Sequence, residues 1–449
     1  MSLLVRLPLS GTPCLNICPM YAGTYRRCML GHRIWQHKSY VCWAIFPPPG
    51  KPVFQPQQGR RNARSECICD RVCPSLLTER NCRARADRIE TEQRLLRERE
   101  TMTDGPTYGF DTLQIHAGAR PDPATGARQT PIYQTTAYVF RDADHAAALF
   151  NLQEVGYIYS RLTNPTVAAL QERLAALEGG VGAVCCSSGH AAQIMALFPL
   201  MMPGNNIVVS TRLYGGSITQ FSQTIKRFGW SAKFVDFDDL DAVKAAIDDD
   251  TRAVFCESIA NPGGYITDLD AISGIADAAG LPLIVDNTSA TPYLCRPMEH
   301  GATLVVHSMT KFLTGNGTVT GGVVVDSGRF DWSASDKFPS LSAPEPAYHG
   351  LKFYETFGPL AFTFHGIAVG LRDLGMTLNP QGAHYTLMGI ETLSLRMAKH
   401  VENATKVAGR LESHPHVAGV TYAGLPSSPY HDRVARICPR GAGGLFTVA

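Results

Sequence analysis

A lysine with two nearby hydroxyl side chains follows one of the most apolar runs of the chain. Lys311 comes four residues after the run 304–307, and Ser308 and Thr310 lie three positions and one position before it. Short apolar runs of this kind are typical of buried strands. A lysine amine can form an imine with an aldehyde, and hydroxyl groups can donate hydrogen bonds to a phosphate. The spacing therefore indicates a lysine that holds an aldehyde cofactor beyond the end of a strand.

A carboxylate ends another apolar run, upstream of this lysine. Asp286 follows the apolar residues 283–285, and a carboxylate in that place can pair with a protonated pyridine nitrogen. An imine-forming lysine and such a carboxylate together favour pyridoxal 5′-phosphate (PLP), which makes the Cα–H bonds of amino acids acidic. The plainer alternatives are an exposed lysine and an aspartate that only caps a turn.

The elements that must position these residues alternate regularly between residues 182 and 326. Predicted strands cover 183–186, 206–210, 232–235, 253–256, 283–286, 304–307 and 320–326, and predicted helices cover 191–201, 217–228, 239–247 and 269–279. Apolar strands separated by helices predict an α/β fold with a mainly parallel sheet between two layers of helices. Ligands of such folds bind beyond the carboxyl ends of the strands, where Gly189, Asp286 and Lys311 all lie.

Composition separates the first 101 residues from the rest. They carry 17 Lys or Arg against 8 Asp or Glu and contain 8 of the 13 cysteines, whereas residues 102–449 carry 24 basic against 31 acidic side chains. Because the segment lacks a sustained periodicity, we expect it to be unstructured or to be translated from a misplaced start. A transit peptide and a metal site at Cys67, Cys69 and Cys73 are the alternatives.

The other residues divide into three predicted regions. These are an N-terminal arm at 102–165, a large domain at 166–360, and a linker helix with a smaller C-terminal domain at 361–449. Helical patterns at 389–397 and 401–411 precede a predicted strand at 417–422. The chain stops within another predicted strand, 443–449, so we expect the smaller domain to be truncated.

Several function classes are excluded or disfavoured by composition. No apolar run reaches 18 residues, which argues against a membrane span. The acidic balance after residue 101 argues against binding nucleic acid through a basic surface. Cysteines such as Cys185 and Cys256 lie within apolar runs, which is typical of reduced thiols in a cytoplasmic protein.

A series of motifs resembles the Cys/Met-metabolism family of PLP-dependent enzymes, from about Phe110 to the C-terminus. Within the family the motifs are most similar to the O-acetylhomoserine sulfhydrylases. They lie at 112–118, 131–136, 159–161, 188–193, 213–216, 327–332 and 348–351. The resemblance implies fold type I of the PLP-dependent transferases, the fold of aspartate aminotransferase. That fold has a large domain with a seven-stranded, mainly parallel sheet and a smaller C-terminal α+β domain.

The resemblance also implies which residues bind the cofactor. Ser188, Gly189 and His190 would present backbone N–H groups at a helix N-terminus to the phosphate, and Ser308 and Thr310 would add hydroxyl donors. A glycine that only starts a helix after a turn is the plainer alternative for this motif.

Four further residues would contact the cofactor ring or its aldehyde. Lys311 would bind the aldehyde and later move protons at the substrate Cα and Cβ, and Asp286 would pair with the ring nitrogen. Tyr214 would stack on the ring and assist the leaving group, and Asn261 would donate a hydrogen bond to the ring 3-oxygen. A core tyrosine and a turn-forming Asn-Pro pair are the alternatives for these two.

Two residues imply a partner subunit. The residues of the family that match Tyr159 and Arg161 reach the phosphate in the neighbouring subunit, so the resemblance implies a homodimer, usually paired into a homotetramer. Without the resemblance they would be an exposed tyrosine and arginine on a loop.

The resemblance implies a PLP-dependent γ-replacement reaction. The reaction would serve methionine biosynthesis and belong to transsulfuration chemistry. Sulfide or a small thiol would replace the acetate of O-acetylhomoserine, giving homocysteine or methionine. A methionine γ-lyase, cystathionine γ-lyase or γ-synthase of the same family is the alternative, which the aromatic stretch 338–359 and the absence of a cysteine beside Tyr214 disfavour. A cofactor-binding but inactive chain is a third possibility, because the family's arginine for the substrate carboxylate is expected beyond residue 449.

Overall fold

A seven-stranded sheet dominates residues 108–449, which a computed structural model of the chain describes. The predictions for residues 1–101 lie outside the described residues. The strands are β1 (Gly182–Cys186), β2 (Asn206–Ser210), β3 (Ser231–Val235), β4 (Thr251–Glu257), β5 (Leu283–Asp286), β6 (Leu304–Ser308) and β7 (Gly322–Asp326). Each of the seven strands predicted between residues 183 and 326 is found, with its ends displaced by at most two residues.

The sheet has the strand order β1-β7-β6-β5-β4-β2-β3. Strand β7 is antiparallel to β1 and β6, and all other neighbouring pairs are parallel. The predicted α/β fold with a mainly parallel sheet is therefore confirmed. Because parallel strands end at the same edge, β4, β5 and β6 present Glu257, Asp286 and Ser308 along one edge of the sheet.

Apolar layers cover both faces of the sheet, because successive residues of a strand point to opposite sides. Val285 belongs to a core that includes residues of the helices Pro165–Glu178 and Leu269–Ala278. Its neighbour Ile284 belongs to a second core that includes the helix Gly189–Leu197. The strands β5 and β6 are therefore apolar except at their carboxyl ends, where Asp286, His307 and Ser308 lie.

The other elements are mostly helical. The helices are Phe110–His116, Ala143–Phe150, Pro165–Glu178, Gly189–Leu197, Gly215–Thr219, Leu240–Ala246, Leu269–Ala278, Thr291–Leu294, Pro339–Ser342, Phe353–Phe357, Ala361–His365, Arg372–Leu374, Pro380–Ile390, Leu393–Glu412 and His431–Ile437. Among residues 108–449, none of the helices is both long and apolar enough to cross a bilayer.

The helix predicted at 217–228 differs in detail from the structure. It begins at Gly215 and continues as a π-helical turn, Gln220–Thr224, and a 3₁₀ turn, Ile225–Phe228. The hydrophobic periods of these helix types differ too little over so short a stretch for the sequence pattern to distinguish them.

The C-terminal region also departs from the prediction. The helical pattern predicted at 389–397 is interrupted, since one helix ends at Ile390 and the next begins at Leu393. Two short strands, β8 (Val420–Thr421) and β9 (Thr447–Val448), pair antiparallel where longer strands were predicted. The boundaries predicted for the three regions of 102–449 stay predictions.

Candidate active site

The carboxyl ends of β4, β5 and β6 border a cavity of about 640 Å³. Cavities of this size commonly hold small molecules and cofactors. The turn after β1, the loops after β2 and β6, the helix Leu393–Glu412 and Leu445 also contribute to its lining. Nine of the eleven predicted site residues line it: Ser188, Gly189, His190, Tyr214, Asn261, Asp286, Ser308, Thr310 and Lys311.

The turn after β1 forms a cradle against the end of β6. Ser188 caps the helix Gly189–Leu197 by accepting a hydrogen bond from the backbone N–H of Ala191 at 3.1 Å. The first N–H groups of a helix have no partners within the helix, so they are available to an anion. Ser308 lies so close that a Cβ added to Gly189 would be 2.6 Å from the Ser308 Cβ. This close approach puts helix N–H groups beside a hydroxyl, which suits a phosphate.

Thr310 lines the cavity, but its hydroxyl is engaged with the backbone. The N–H of Gly321 donates to Thr310 Oγ1 at 3.0 Å, and this hydroxyl donates to the carbonyl of Gly321 at 3.3 Å. These bonds connect the residue before Lys311 to the chain just before β7. Because a hydroxyl has a single hydrogen, Thr310 can donate to a phosphate only by giving up its bond to Gly321.

Asp286 ends β5 with its carboxyl group held by two donors. The backbone N–H of Thr288 donates to Oδ1 at 3.0 Å, and Gln193 Nε2 donates to Oδ2 at 3.3 Å. Gln193 is buried and also donates to Ser217 at 2.8 Å. No prediction gave Gln193 a role, although it ends the motif 188–193. The two donors hold the carboxylate in one orientation, as a partner for a ring nitrogen requires.

Lys311 lies in the loop that follows β6. Its backbone N–H donates to the carbonyl of Ser308 at 3.3 Å, and its own carbonyl accepts from the N–H of Gly315 at 2.8 Å. Gly315 has φ +76°, a left-handed conformation that favours glycine. The loop is thus closed by local hydrogen bonds, while the Lys311 side chain contributes to the cavity lining.

The helix Leu393–Glu412 contributes Arg396 and His400 to the cavity, and neither was predicted as a site residue. Arg396 Nη1 donates to the carbonyl of Phe312 at 2.7 Å, and Nη2 donates to the carbonyl of Gly389 at 2.7 Å. Phe312 directly follows Lys311, so Arg396 fastens the lysine loop to this helix.

Tyr214 and Asn261 reach the cavity from two different loops, and Glu257 joins them. The N–H of Tyr214 donates to Glu257 Oε1 at 2.6 Å, and the N–H of Asn261 donates to Oε2 at 2.8 Å. The Tyr214 side chain is 48% exposed, with its ring centroid 6.0 Å from that of His190. Burial, and then the nearby Asp286, raise the pKa of Glu257. No motif singled out Glu257, although it ends β4 just as Asp286 ends β5.

A buried polar network supports these strand ends on the other face of the sheet. His307 Nε2 lies 2.6 Å from Glu178 Oε1, and Asn287 Nδ2 donates to the same oxygen at 2.9 Å. Ser258 Oγ donates to Asn287 Oδ1 at 2.7 Å. Ser258, Asn287 and His307 are each the sequence neighbour of a cavity residue at a strand end, because successive side chains of an extended chain alternate between faces. The network therefore braces the ends of β4, β5 and β6.

Tyr159 and Arg161 do not line this cavity. Arg161 Nη1 donates to the carbonyl of Arg372, and the Arg161 guanidinium lies 5.5 Å from the centroid of the Tyr159 ring. Tyr159 is 42% exposed. Their predicted contact with the phosphate in a neighbouring subunit stays a prediction.

The residues of the cavity fit PLP. A lysine amine suits its aldehyde, the Asp286 carboxylate suits its ring nitrogen, and the glycine cradle at the helix N-terminus suits its phosphate. The exposed ring of Tyr214 offers an aromatic face for stacking.

Known proteins resemble this chain over most of its described length. The family described as Cys/Met metabolism PLP-dependent enzyme matches residues 111–449. Homocysteine synthase of Schizosaccharomyces pombe is 49% identical over 340 residues, which are 75% of this chain and 79% of that protein. O-acetyl-L-homoserine sulfhydrylase 1 of Thermus thermophilus is 48% identical over 340 residues, which are 75% of this chain and 80% of that protein.

Solved structures agree with the sequence relatives. The crystal structure of a putative O-acetylhomoserine (thiol)-lyase from Campylobacter jejuni is similar, with a TM-score of 0.74 and 41% identity. The match covers 76% of this chain and 85% of that one, which carries a pyridoxyl-lysine phosphate. The predicted fold type I and the PLP cofactor are thereby confirmed. This chain belongs to the family of Cys/Met metabolism PLP-dependent enzymes.

Proposed function

We propose that the chain replaces the acetate group of O-acetylhomoserine with sulfide or a small thiol. The Cγ–O bond of the substrate breaks, a Cγ–S bond forms, and the products are homocysteine or a thioether such as methionine, with acetate. The observation that carries the proposal is one cavity that combines Lys311, Asp286 and the Gly189 cradle. A relative named O-acetyl-L-homoserine sulfhydrylase 1, at 48% identity, supports the choice of substrate, and one named homocysteine synthase, at 49%, supports the choice of product.

PLP, when bound, supplies an electron sink that makes the Cα–H bond of an amino acid acidic. Lys311 Nζ would hold the aldehyde and, once released from it, would move the protons at the substrate Cα and Cβ. Asp286 would hold the proton on the ring nitrogen, and Asn261 would donate a hydrogen bond to the ring 3-oxygen. Tyr214 would stack on the ring and donate a hydrogen bond to the leaving acetate.

The cofactor phosphate would be held at the start of the helix Gly189–Leu197. Ser188, Gly189 and His190 would give backbone N–H groups, and Ser308 and Thr310 would give hydroxyl groups, for which Thr310 must give up its bond to Gly321. An anchored phosphate would restrict the cofactor to one orientation relative to Lys311, and such positioning raises the reaction rate.

A homodimer, or a homotetramer built from two dimers, completes the proposed site. Tyr159 and Arg161 lie on a segment with several exposed apolar side chains, including Val139 and Phe150. Arg161 would supply a bidentate donor to the phosphate in the partner subunit. We place the enzyme in the cytoplasm, because Cys185, like the other four cysteines of residues 108–449, is a buried free thiol.

An absorbance experiment tests the proposed function. The purified chain is mixed with PLP, and visible spectra are recorded before and after adding O-acetylhomoserine and sulfide. We expect an imine band that Lys311→Ala abolishes and that the control Lys399→Ala retains, since Lys399 is an exposed residue paired with Glu402. Homocysteine and acetate should then form in equal amounts.

Other outcomes of this experiment separate the alternatives. Release of 2-oxobutyrate and ammonia without added sulfide would identify a γ-lyase. A Lys311-dependent band with no product would identify a chain that binds the cofactor but is inactive. An unchanged band in Lys311→Ala would remove Lys311 from its role.

A further inference from the structure

The cavity is lined by a buried carboxyl group that the proposed mechanism does not use. Glu257 is the last residue of β4 and is only 5% exposed. It lines the cavity and pairs in register with Asp286 on the neighbouring parallel strand. Both carboxyl groups therefore lie at the same edge of the sheet.

Both carboxylate oxygens of Glu257 accept a backbone hydrogen bond, and the donors come from separate loops. Oε1 accepts from the N–H of Tyr214 at 2.6 Å, in the loop after β2. Oε2 accepts from the N–H of Asn261 at 2.8 Å, in the turn after β4. Charge-assisted bonds of this length are among the stronger hydrogen bonds in proteins. One carboxylate thus sets the separation of the two loops.

The environment of Glu257 opposes its charge. Burial and the proximity of Asp286 raise its pKa, while the two N–H donors lower it. A neutral acid would retain one oxygen as a full acceptor but would present a hydroxyl hydrogen at the other. The two-sided contact with N–H donors is therefore strongest in the ionised form.

We propose that Glu257 is a positioning residue that fixes Tyr214 and Asn261 on the cofactor ring. This inference rests on the proposed function for the identity of the ring. Tyr214 would lie on the face of the ring and Asn261 at its 3-oxygen, so the Glu257 carboxylate sets the two contacts relative to Asp286. Removing the Glu257 carboxylate would leave the cofactor ring less tightly held, although every group that touches the ring atoms would remain.

Amide hydrogen exchange on the full chain loaded with PLP tests the inference. In Glu257→Gln one amide N–H₂ group replaces an acceptor oxygen, so two donors face each other at one of the two contacts. We expect exchange at the Tyr214 or Asn261 amide to rise by about tenfold or more, which corresponds to the loss of a hydrogen bond to a charged group. The dissociation constant for PLP, from a fluorescence titration, should rise by about tenfold, and the visible band should shift.

A matched carboxyl group provides the control. Asp326 is also buried, burial raises its pKa to about 7, and it accepts from the N–H of Gly328 at 2.9 Å. It ends β7, whose antiparallel direction puts it at the other edge of the sheet. Asp326→Asn should leave exchange at Tyr214 and Asn261, and the PLP dissociation constant, unchanged.

A second variant makes the test independent of the lost charge. Glu257→Asp keeps the carboxylate but is one methylene shorter, so it cannot reach both loops, and one of the two amides should lose protection. Wild-type exchange at both amides in either variant would overturn the inference, as would faster exchange throughout the sheet instead of at these loops. The exchange readout needs no substrate, so a failure of the proposed reaction would leave it intact.

Discussion

Gly189 shows how tightly a single position of the site is constrained. Its Cα lies against β6, where an added Cβ would be 2.6 Å from the Ser308 Cβ and 3.0 Å from the Ser308 Cα. Contacts below 3.0 Å require a neighbour to move, and here that neighbour is the end of a central strand. A glycine is therefore required by the packing, and the helix N-terminus can approach a phosphate because no side chain intervenes.

Gly189→Ala should weaken PLP binding by about 10- to 100-fold, because a displaced cradle loses charge-assisted hydrogen bonds to the phosphate. A PLP titration followed by absorbance measures this loss. Gly274→Ala is the matched control, since no atom lies within 4 Å of its added Cβ in the helix Leu269–Ala278. It should bind PLP normally and be more stable by about 0.5–1 kcal/mol. Equal PLP affinity for the two variants would contradict the assignment of the cradle.

At the scale of elements, two successive residues at a strand end point their side chains to opposite faces of the sheet. Asp286, the last residue of β5, faces the cavity, and the next residue, Asn287, faces the buried network, where its side chain donates to Glu178 Oε1. The end of β6 repeats the arrangement, with Ser308 toward the cavity and His307 toward Glu178. Because one side of each strand end is held by buried hydrogen bonds, the other side is presented in a defined position.

The loop that carries Lys311 is held from a different element. Arg396 of the helix Leu393–Glu412 donates to the carbonyl of Phe312, one residue after the lysine, and to the carbonyl of Gly389. Burial lowers the pKa of Arg396. The guanidinium joins three parts of the chain, so its loss should displace the lysine loop without changing the sheet.

Arg396→Ala should lower turnover by about 10- to 100-fold, since a misplacement of a reactive group by about 1 Å has effects of that order. The rate at which the imine band appears after PLP is added should fall as well. Arg410→Ala, an exposed arginine in the same helix, is the control and should behave as the wild type. If both variants form the band at the wild-type rate, Arg396 does not position Lys311.

At the scale of the whole molecule, ion pairs attach the C-terminal part of the chain to the sheet region. In the helix His431–Ile437, Arg433 pairs with Asp238 at 2.7 Å, and Arg436 pairs with Asp268 at 2.7 Å. These arginines are about a quarter to a half exposed, so the contribution of each pair to stability is small, about 0–1 kcal/mol. Apolar contacts, including buried Tyr422 and Ile437, account for more of the attachment.

Mixing two inactive variants tests the proposed dimer. Lys311→Ala lacks the reactive lysine, and Arg161→Ala lacks the side chain proposed to reach the partner's phosphate. If Arg161 acts in the neighbouring subunit, mixed dimers contain one intact site, and an equal mixture should regain about a quarter of the wild-type activity. Mixing must follow dissociation or co-expression. No regained activity in mixed dimers would mean that Arg161 acts within its own subunit or not at all.

The amino-acid sequence by itself determined the strands, the α/β class and five of the cavity residues. These five are Gly189, Asp286, Ser308, Thr310 and Lys311. Strand patterns are local, and in a parallel sheet a polar residue after an apolar run must lie at the active edge, as Asp286 and Lys311 do. The resemblance to a known family added Tyr214 and Asn261, whose side chains no local pattern would have distinguished from a core tyrosine and a turn.

Only the tertiary structure decided which distant groups hold those residues in place. Gln193 contacts Asp286 across 93 positions, Arg396 contacts Phe312 across 84, and Tyr214 contacts Glu257 across 43. The pair of His307 and Glu178 spans 129 positions. The hydrophobic periodicity of a sequence indicates the face of an element on which a residue lies. It does not indicate which distant residue will contact that face in the folded protein. Supporting contacts depend on the order of strands and the packing of helices, and these exist only once the whole chain has folded.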